Sequence, residues 1–124
     1  MTMRKLLVLT AALAVLSPAA HARAPGEPES CDGVSTPEIV DCVNFKTAQW
    51  DKRMNAAYQK ALKEGEARRQ EQLRTAQRLW IQFRDANCTY FFMGEGTVAR
   101  IDAAECVRNM TEARARELED FGQH

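Results

Sequence analysis

The chain has 124 residues, 17 basic against 17 acidic, and four cysteines. It is long enough for one domain and too short for two. No lysine- or arginine-rich tail or patch stands out, which excludes duplex nucleic acid as a partner.

Residues 1–22, MTMRKLLVLTAALAVLSPAAHA, begin with Arg4 and Lys5, continue through an apolar run from Leu6 to Leu16, and end with Ala20 and Ala22 flanking His21. That order is a secretory signal peptide with an A-x-A cleavage site. The apolar run is shorter than the roughly 20 residues that span a bilayer, and Ser17-Pro18 breaks it, so no membrane span is expected after cleavage. A lipid anchor would need a cysteine at the cleavage point, whereas Cys31 lies downstream, after Pro28-Glu29-Ser30. Removing Arg4 and Lys5 leaves a net charge of about −2 on the exported chain.

The exported part keeps about 100 residues, able to bury about 65% of its unfolded surface. Residues 23–35 hold Pro25, Gly26, Pro28 and Gly33 without periodicity and read as an irregular arm. Thr36-Pro37-Glu38 starts a helix, with Thr36 as N-cap, Pro37 at the first helical position, and Glu38 and Asp41 near the positive end of the dipole. Val43, Thr47, Trp50, Met54, Ala57, Tyr58, Ala61 and Leu62 carry that helix to Lys63. Gly65 then marks a tight connection in left-handed geometry.

A second helix runs from about Ala67 to Phe92. Within it Leu73, Ala76, Trp80, Phe83 and Asn87 share one face, beside a second row of Gln77, Trp80, Ile81, Arg84 and Cys88. A helix with two such rows is expected to sit centrally, with the other segments folded back on it. Gly94-Glu95-Gly96-Thr97 forms a turn, and a third helix follows with Ile101, Ala104, Val107, Met110, Arg114, Leu118 and Phe121 at helical spacing. The fold class is therefore all-α: a small antiparallel three-helix bundle over residues 36–121.

Cys31, Cys42, Cys88 and Cys106 all lie beyond the cleavage site, and an even count in a small exported chain reads as two disulfides. Three pairings are formally possible. Cys31–Cys42 with Cys88–Cys106 is favoured, because the second pair would span a short link between two helices. A metal site is disfavoured: the spacing is not C-x-x-C and no histidine lies near.

His21 leaves with the signal peptide and His124 ends the chain, so a Ser-His-Asp or Cys-His device has no base. No Gly-x-Ser-x-Gly motif or phosphate-binding glycine loop is present. The carboxylates show no spacing that singles out a catalytic pair. The sequence thus points to a non-enzymatic protein with no cofactor. Arg84-Asp85 reads as an intramolecular bridge in preference to a recognition surface. Asp51 and Asn55, one turn apart, are placed to reach Arg84 or Arg114. Tyr90-Phe91-Phe92-Met93 reads either as a binding patch or, in preference, as packing beneath the disulfide loop.

The run Ala76-Gln77-Arg78-x-Trp80-Ile81-x-Phe83-Arg84-Asp85-Ala86-x-Cys88 is joined by Asp51-x-x-Met54-Asn55-x-x-Tyr58 upstream. Downstream come Gly94-x-Gly96-Thr97, Cys106, Thr111-x-x-Arg114 and Leu118. Together they resemble the LprI-like lysozyme-inhibitor family of exported bacterial proteins, from about Cys31 to Leu118. The resemblance implies a disulfide-bonded, all-helical module, periplasmic or secreted, whose partner is a lysozyme or another cell-wall hydrolase. Inhibition of a cationic muramidase would want an acidic or hydrogen-bonding loop entering its cleft. The Gly94–Thr97 turn with Glu95 is the best candidate, and Tyr90, Phe91 and Phe92 are the second. The alternative is a cell-envelope adaptor or structural module that uses the aromatic patch.

Overall fold

The computed structural model describes residues 30–33 and 35–121. The expected signal peptide and most of the expected arm lie outside the described residues. Three helices follow in chain order: α1 (Thr36–Glu64), α2 (Ala67–Phe92) and α3 (Val98–Asp120). Disulfides join Cys31 to Cys42 and Cys88 to Cys106, each with Cα atoms 5.5 Å apart. Every described residue outside the helices belongs to a terminus or a short link, so the chain runs up, down and up as an antiparallel bundle.

α1 is capped one residue earlier than the sequence suggests. Ser35, not Thr36, is the N-cap: its Oγ accepts from Glu38 N–H at 3.4 Å, and its own N–H donates to Glu38 Oε2 at 3.0 Å. This reciprocal box satisfies two donors, and Pro37 sits where a missing N–H is harmless. At the far end Gly65 is extended, with φ −85° and ψ 148°, and not left-handed as expected. Glycine suits this site for a different reason. A Cβ here would stand 3.3 Å from Ala61 O, the carbonyl that accepts the Gly65 N–H. Gln70 Nε2 closes the link by donating to Gly65 O at 2.9 Å.

The central element is α3, not α2. α3 packs along both neighbours, whereas α1 and α2 meet only narrowly. Composition explains the exchange of roles. α3 buries Ala99, Ala104, Thr111, Ala115 and Leu118, and its alanines let two helices approach closely on different sides. Thr111 spends its hydroxyl on the Val107 carbonyl at 2.7 Å, so its burial leaves no unmet donor. The core cluster is Met54, Ala57, Ala115 and Leu118, with Trp50, Tyr58, Leu73 and Trp80 packed against it.

α2 buries only Gln77 and Cys88. The row Leu73, Ala76, Trp80, Phe83, Asn87 is therefore not its core face throughout: Phe83 is exposed, and burial follows the neighbouring row at Gln77, Arg84 and Cys88 but not at Ile81, which is also exposed. A bidentate pair of Arg53 with Glu119 joins α1 to α3, and the Arg53 and Arg116 guanidiniums both lie over Trp50, at 4.8 and 4.9 Å from the ring centroid.

Candidate functional site

Two constellations of polar and aromatic groups stand out, at different heights of the bundle. The first is an internal seam between α2 and α3. Arg114 is buried; its Nε donates to Gln77 Oε1 at 2.9 Å and its Nη1 to Glu117 Oε2 at 2.6 Å, while Nη2 has no partner among the described residues. Trp80 receives two guanidiniums, Arg84 at 5.1 Å and Arg114 at 5.9 Å from its centroid. Arg84 also bonds Asp85 Oδ1 through Nε at 2.9 Å and approaches Thr111 Oγ1 at 3.5 Å. Cation–π contact and hydrogen bonds hold these charges where a leucine core would otherwise be. Asp51 and Asn55 do not join this seam. Asn55 Nδ2 donates to Asp51 Oδ2 at 3.0 Å on the exposed side of α1, because a pair at i and i+4 satisfies itself before reaching another helix. Tyr58 packs on the core cluster.

The second constellation is the tip where α2 turns into α3. Met93 N–H donates to Thr89 O, Gly94 N–H to Phe91 O, and Arg100 N–H to Thr97 O, at 3.1 to 3.2 Å. Gly96 has φ +76°, the left-handed region that a side chain would strain. Gly94 is tight for another reason: a Cβ would stand 3.1 Å from Phe91 O. Glu95 is thereby exposed on the turn between two glycines, three residues before α3.

The tip is anchored by the Cys88–Cys106 disulfide, about one turn below it on α2 and two on α3. Cys88 is buried, and the Met110 thioether lies 3.8 Å from Cys88 Sγ and 3.9 Å from Cys106 Sγ. Asn87 Nδ2 approaches both Cys106 Sγ and Met110 Sδ at 3.5 Å. These contacts fix the tip without burying what it carries. Tyr90, Phe91, Phe92, Met93 and Val98 are all exposed, so the aromatic run does not pack beneath the disulfide loop. The Cys88–Cys106 disulfide, with Met110 against both sulfurs, lies beneath the tip instead. Tyr90 and Phe91 pack edge to face at 5.6 Å.

Charge at this end is one-sided. Asp32, Glu38, Asp41, Glu95 and Asp102 lie within residues 30–45 and 89–104, where Arg100 is the only cation. A groove of about 430 Å³ between α1 and the tip brings Val40, Phe92, Arg100 and Val107 together. Val40 and Val98 were not singled out by sequence; both sit at helix starts, where apolar periodicity has too few turns to register. Among the described residues no group of three or more histidines, cysteines or carboxylates is placed to hold a metal ion, and no helix is long and apolar enough to cross a membrane.

A disulfide-stapled helical bundle that holds an acidic turn among exposed aromatics is a small extracytoplasmic protein module. The family model for lysozyme inhibitor LprI matches residues 29–118, and the chain belongs to that family. No curated protein and no solved structure matches it.

Proposed function

We propose that this protein is an exported, non-enzymatic inhibitor of lysozyme-type peptidoglycan hydrolases that acts by protein–protein contact through its tip. The observation that carries the reading is the position of Glu95, exposed between Gly94 and Gly96 on a disulfide-anchored turn. Such a projection can enter a cleft with little loss of loop entropy, because the turn is already fixed. Tyr90, Phe91 and Phe92 supply large, rigid area around it, the residue type that dominates interface energetics. The acidic surround, Asp41 and Asp102 included, steers the tip toward a cationic enzyme surface even though the chain as a whole carries little charge. Residues 1–22 act as the cleaved signal peptide and direct the product to the periplasm or beyond.

The test is a titration of the purified, oxidised protein against several lysozyme types on a peptidoglycan substrate. Lysis falls with rising inhibitor for at least one type. Undiminished lysis at micromolar excess over every type overturns the proposal.

A further inference from the structure

α2 carries an apolar stripe that the bundle does not use. Leu79, Phe83, Ala86 and Tyr90 recur at steps of four, three and four, the spacing of a seam between paired helices. All four are exposed: Leu79 by 56%, Phe83 by 61% and Tyr90 by 76%. Leu79 and Ala86 each stand two residues, about 200° of helix rotation, from the buried Gln77 and Cys88, so the stripe faces directly away from the bundle. A solvent face should be polar. Beyond the helix end Met93, 79% exposed, continues the step of three.

We infer that this face is a self-association surface on which a second copy of the chain packs its own α2, antiparallel, about a two-fold axis at Ala86. Three observations select a second copy as the occupant. The stripe is nearly symmetric about its small residue: Phe83 lies three positions before Ala86 and Tyr90 four after, Leu79 seven before and Met93 seven after. An isologous antiparallel pair therefore sets alanine against alanine at the crossing and large side chains against each other on both flanks. The bordering positions Thr75, Gln82, Asn87 and Thr89 are uncharged, so two identical faces meet without repulsion. The exposed parts of the four large side chains amount to about 500 Å² per copy, and two copies reach the ~1,000 Å² at which a specific interface begins.

Charge sets the direction. Parallel pairing would put two acidic tips side by side. Antiparallel pairing runs the Glu95 turn of one copy along the Arg74 and Arg78 turn of the other; Arg74 pairs with Glu71 of its own helix, and Arg78 has no ion pair among the described residues. The two tips then point to opposite ends of the dimer, where self-association competes with enzyme contact for Tyr90 and the Glu95 turn.

The experiment is sedimentation velocity of the oxidised, exported chain alone, from micromolar to several hundred micromolar. The expected result is a concentration-dependent monomer–dimer equilibrium. Phe83→Glu raises its dissociation constant by at least about tenfold, with helical circular dichroism and both disulfides unchanged. Orientation is read by cross-linking. Ala86→Cys gives a symmetric disulfide dimer under mild oxidation, whereas Leu79→Cys, held ~21 Å from its mate in the antiparallel pair, does not. A chain that stays monomeric throughout, or a dimer indifferent to Phe83→Glu, overturns the inference. Preferential cross-linking of Leu79→Cys overturns its direction. If the wild type is monomeric and Phe83→Glu instead abolishes lysozyme inhibition, the stripe belongs to the enzyme contact and the self-association is refuted. No lysozyme is present in the sedimentation run, so its failure leaves the inhibitor reading standing.

Discussion

Arg114 reaches Gln77 across the α2–α3 interface at 2.9 Å, and the same buried guanidinium leaves Nη2 without an acceptor among the described residues. A charge 7% exposed is held by one amide oxygen, the outward-lying Glu117 and two aromatic rings, Trp80 and Phe121. The two partners are therefore unequal. Removing Gln77 strips a buried cation of a hydrogen bond, and Gln77→Leu should destabilise by about 3 kcal/mol. Removing the cation leaves only an amide oxygen unmet, and Arg114→Met should cost about 1 kcal/mol. The double variant should lose less than the sum of the two, and urea unfolding of all four forms measures the coupling. Equal losses that add would mean the bond contributes nothing.

The disulfide under the tip should matter more to stability than its loop length alone requires. Both loops are short, with sequence separations of 11 and 18, and chain entropy assigns each about 3 kcal/mol. Cys88 is also buried against Met110, whereas Cys31 ties down an exposed entry segment. Replacing Cys88 and Cys106 by alanine should therefore lower the unfolding free energy by roughly 1 kcal/mol more than replacing Cys31 and Cys42. Paired denaturant curves decide it; a larger loss from the first disulfide would contradict the packing argument.

The helices and their ends were legible because local signals fix them. Pro37 and Glu38 mark a helix start, Gly65 and the Gly94–Thr97 turn interrupt the apolar spacing, and α2 ends at Phe92 as read. The cysteine positions favoured the observed pairing once the helix ends were placed. Packing was less legible. Apolar spacing in α2 fits two faces, Leu73 to Phe83 on one and Leu79 to Tyr90 on another, and periodicity alone does not say which one meets a partner. The buried row is the one that carries Gln77, Arg84 and Cys88, since their partners Arg114, Thr111 and Cys106 all come from α3. Those partners lie 18 to 37 positions away in sequence, beyond the reach of a local pattern.

Acid should weaken the α1–α3 contact in a defined window. The hydrogen bond from Arg53, more than anything else, holds the Glu119 carboxyl below its usual range; partial burial opposes this, and the charges of Arg53 and Arg116 add to it. A carboxyl depressed in the folded state stabilises above its unfolded pKa of about 4.3, and that stability is lost as pH falls through the lower folded value. Arg53 is half exposed and Glu119 32% exposed, so solvent screening limits the effect to about 0.5 kcal/mol. At pH 7 Glu119→Gln should be less stable than wild type by that amount, and the two should converge below about pH 4. Raised salt should narrow the difference at pH 7. A gap that persists unchanged in acid would assign the effect to packing.

Shape and charge at the tip can be separated by two substitutions of Glu95 and one of Gly96. Glu95→Gln keeps the length and hydrogen-bonding oxygen of the side chain and removes its charge. Glu95→Ala removes both. If the carboxylate is read by a donor-rich cleft, Glu95→Ala should weaken lysozyme inhibition by about tenfold or more, with Glu95→Gln between it and wild type. Neither should shift the thermal midpoint appreciably, because Glu95 is exposed. Gly96→Ala acts differently. Its Cβ meets open space, so no clash arises, but φ of +76° is strained for alanine and should cost about 1 kcal/mol. That strain falls on the turn itself. Inhibition should therefore weaken although no contacting group has been removed, and the loss should appear in a faster dissociation rate. Unchanged potency in Glu95→Ala, alongside weakened potency in Tyr90→Ala or Phe92→Ala, would move the contact from the turn to the aromatic flank.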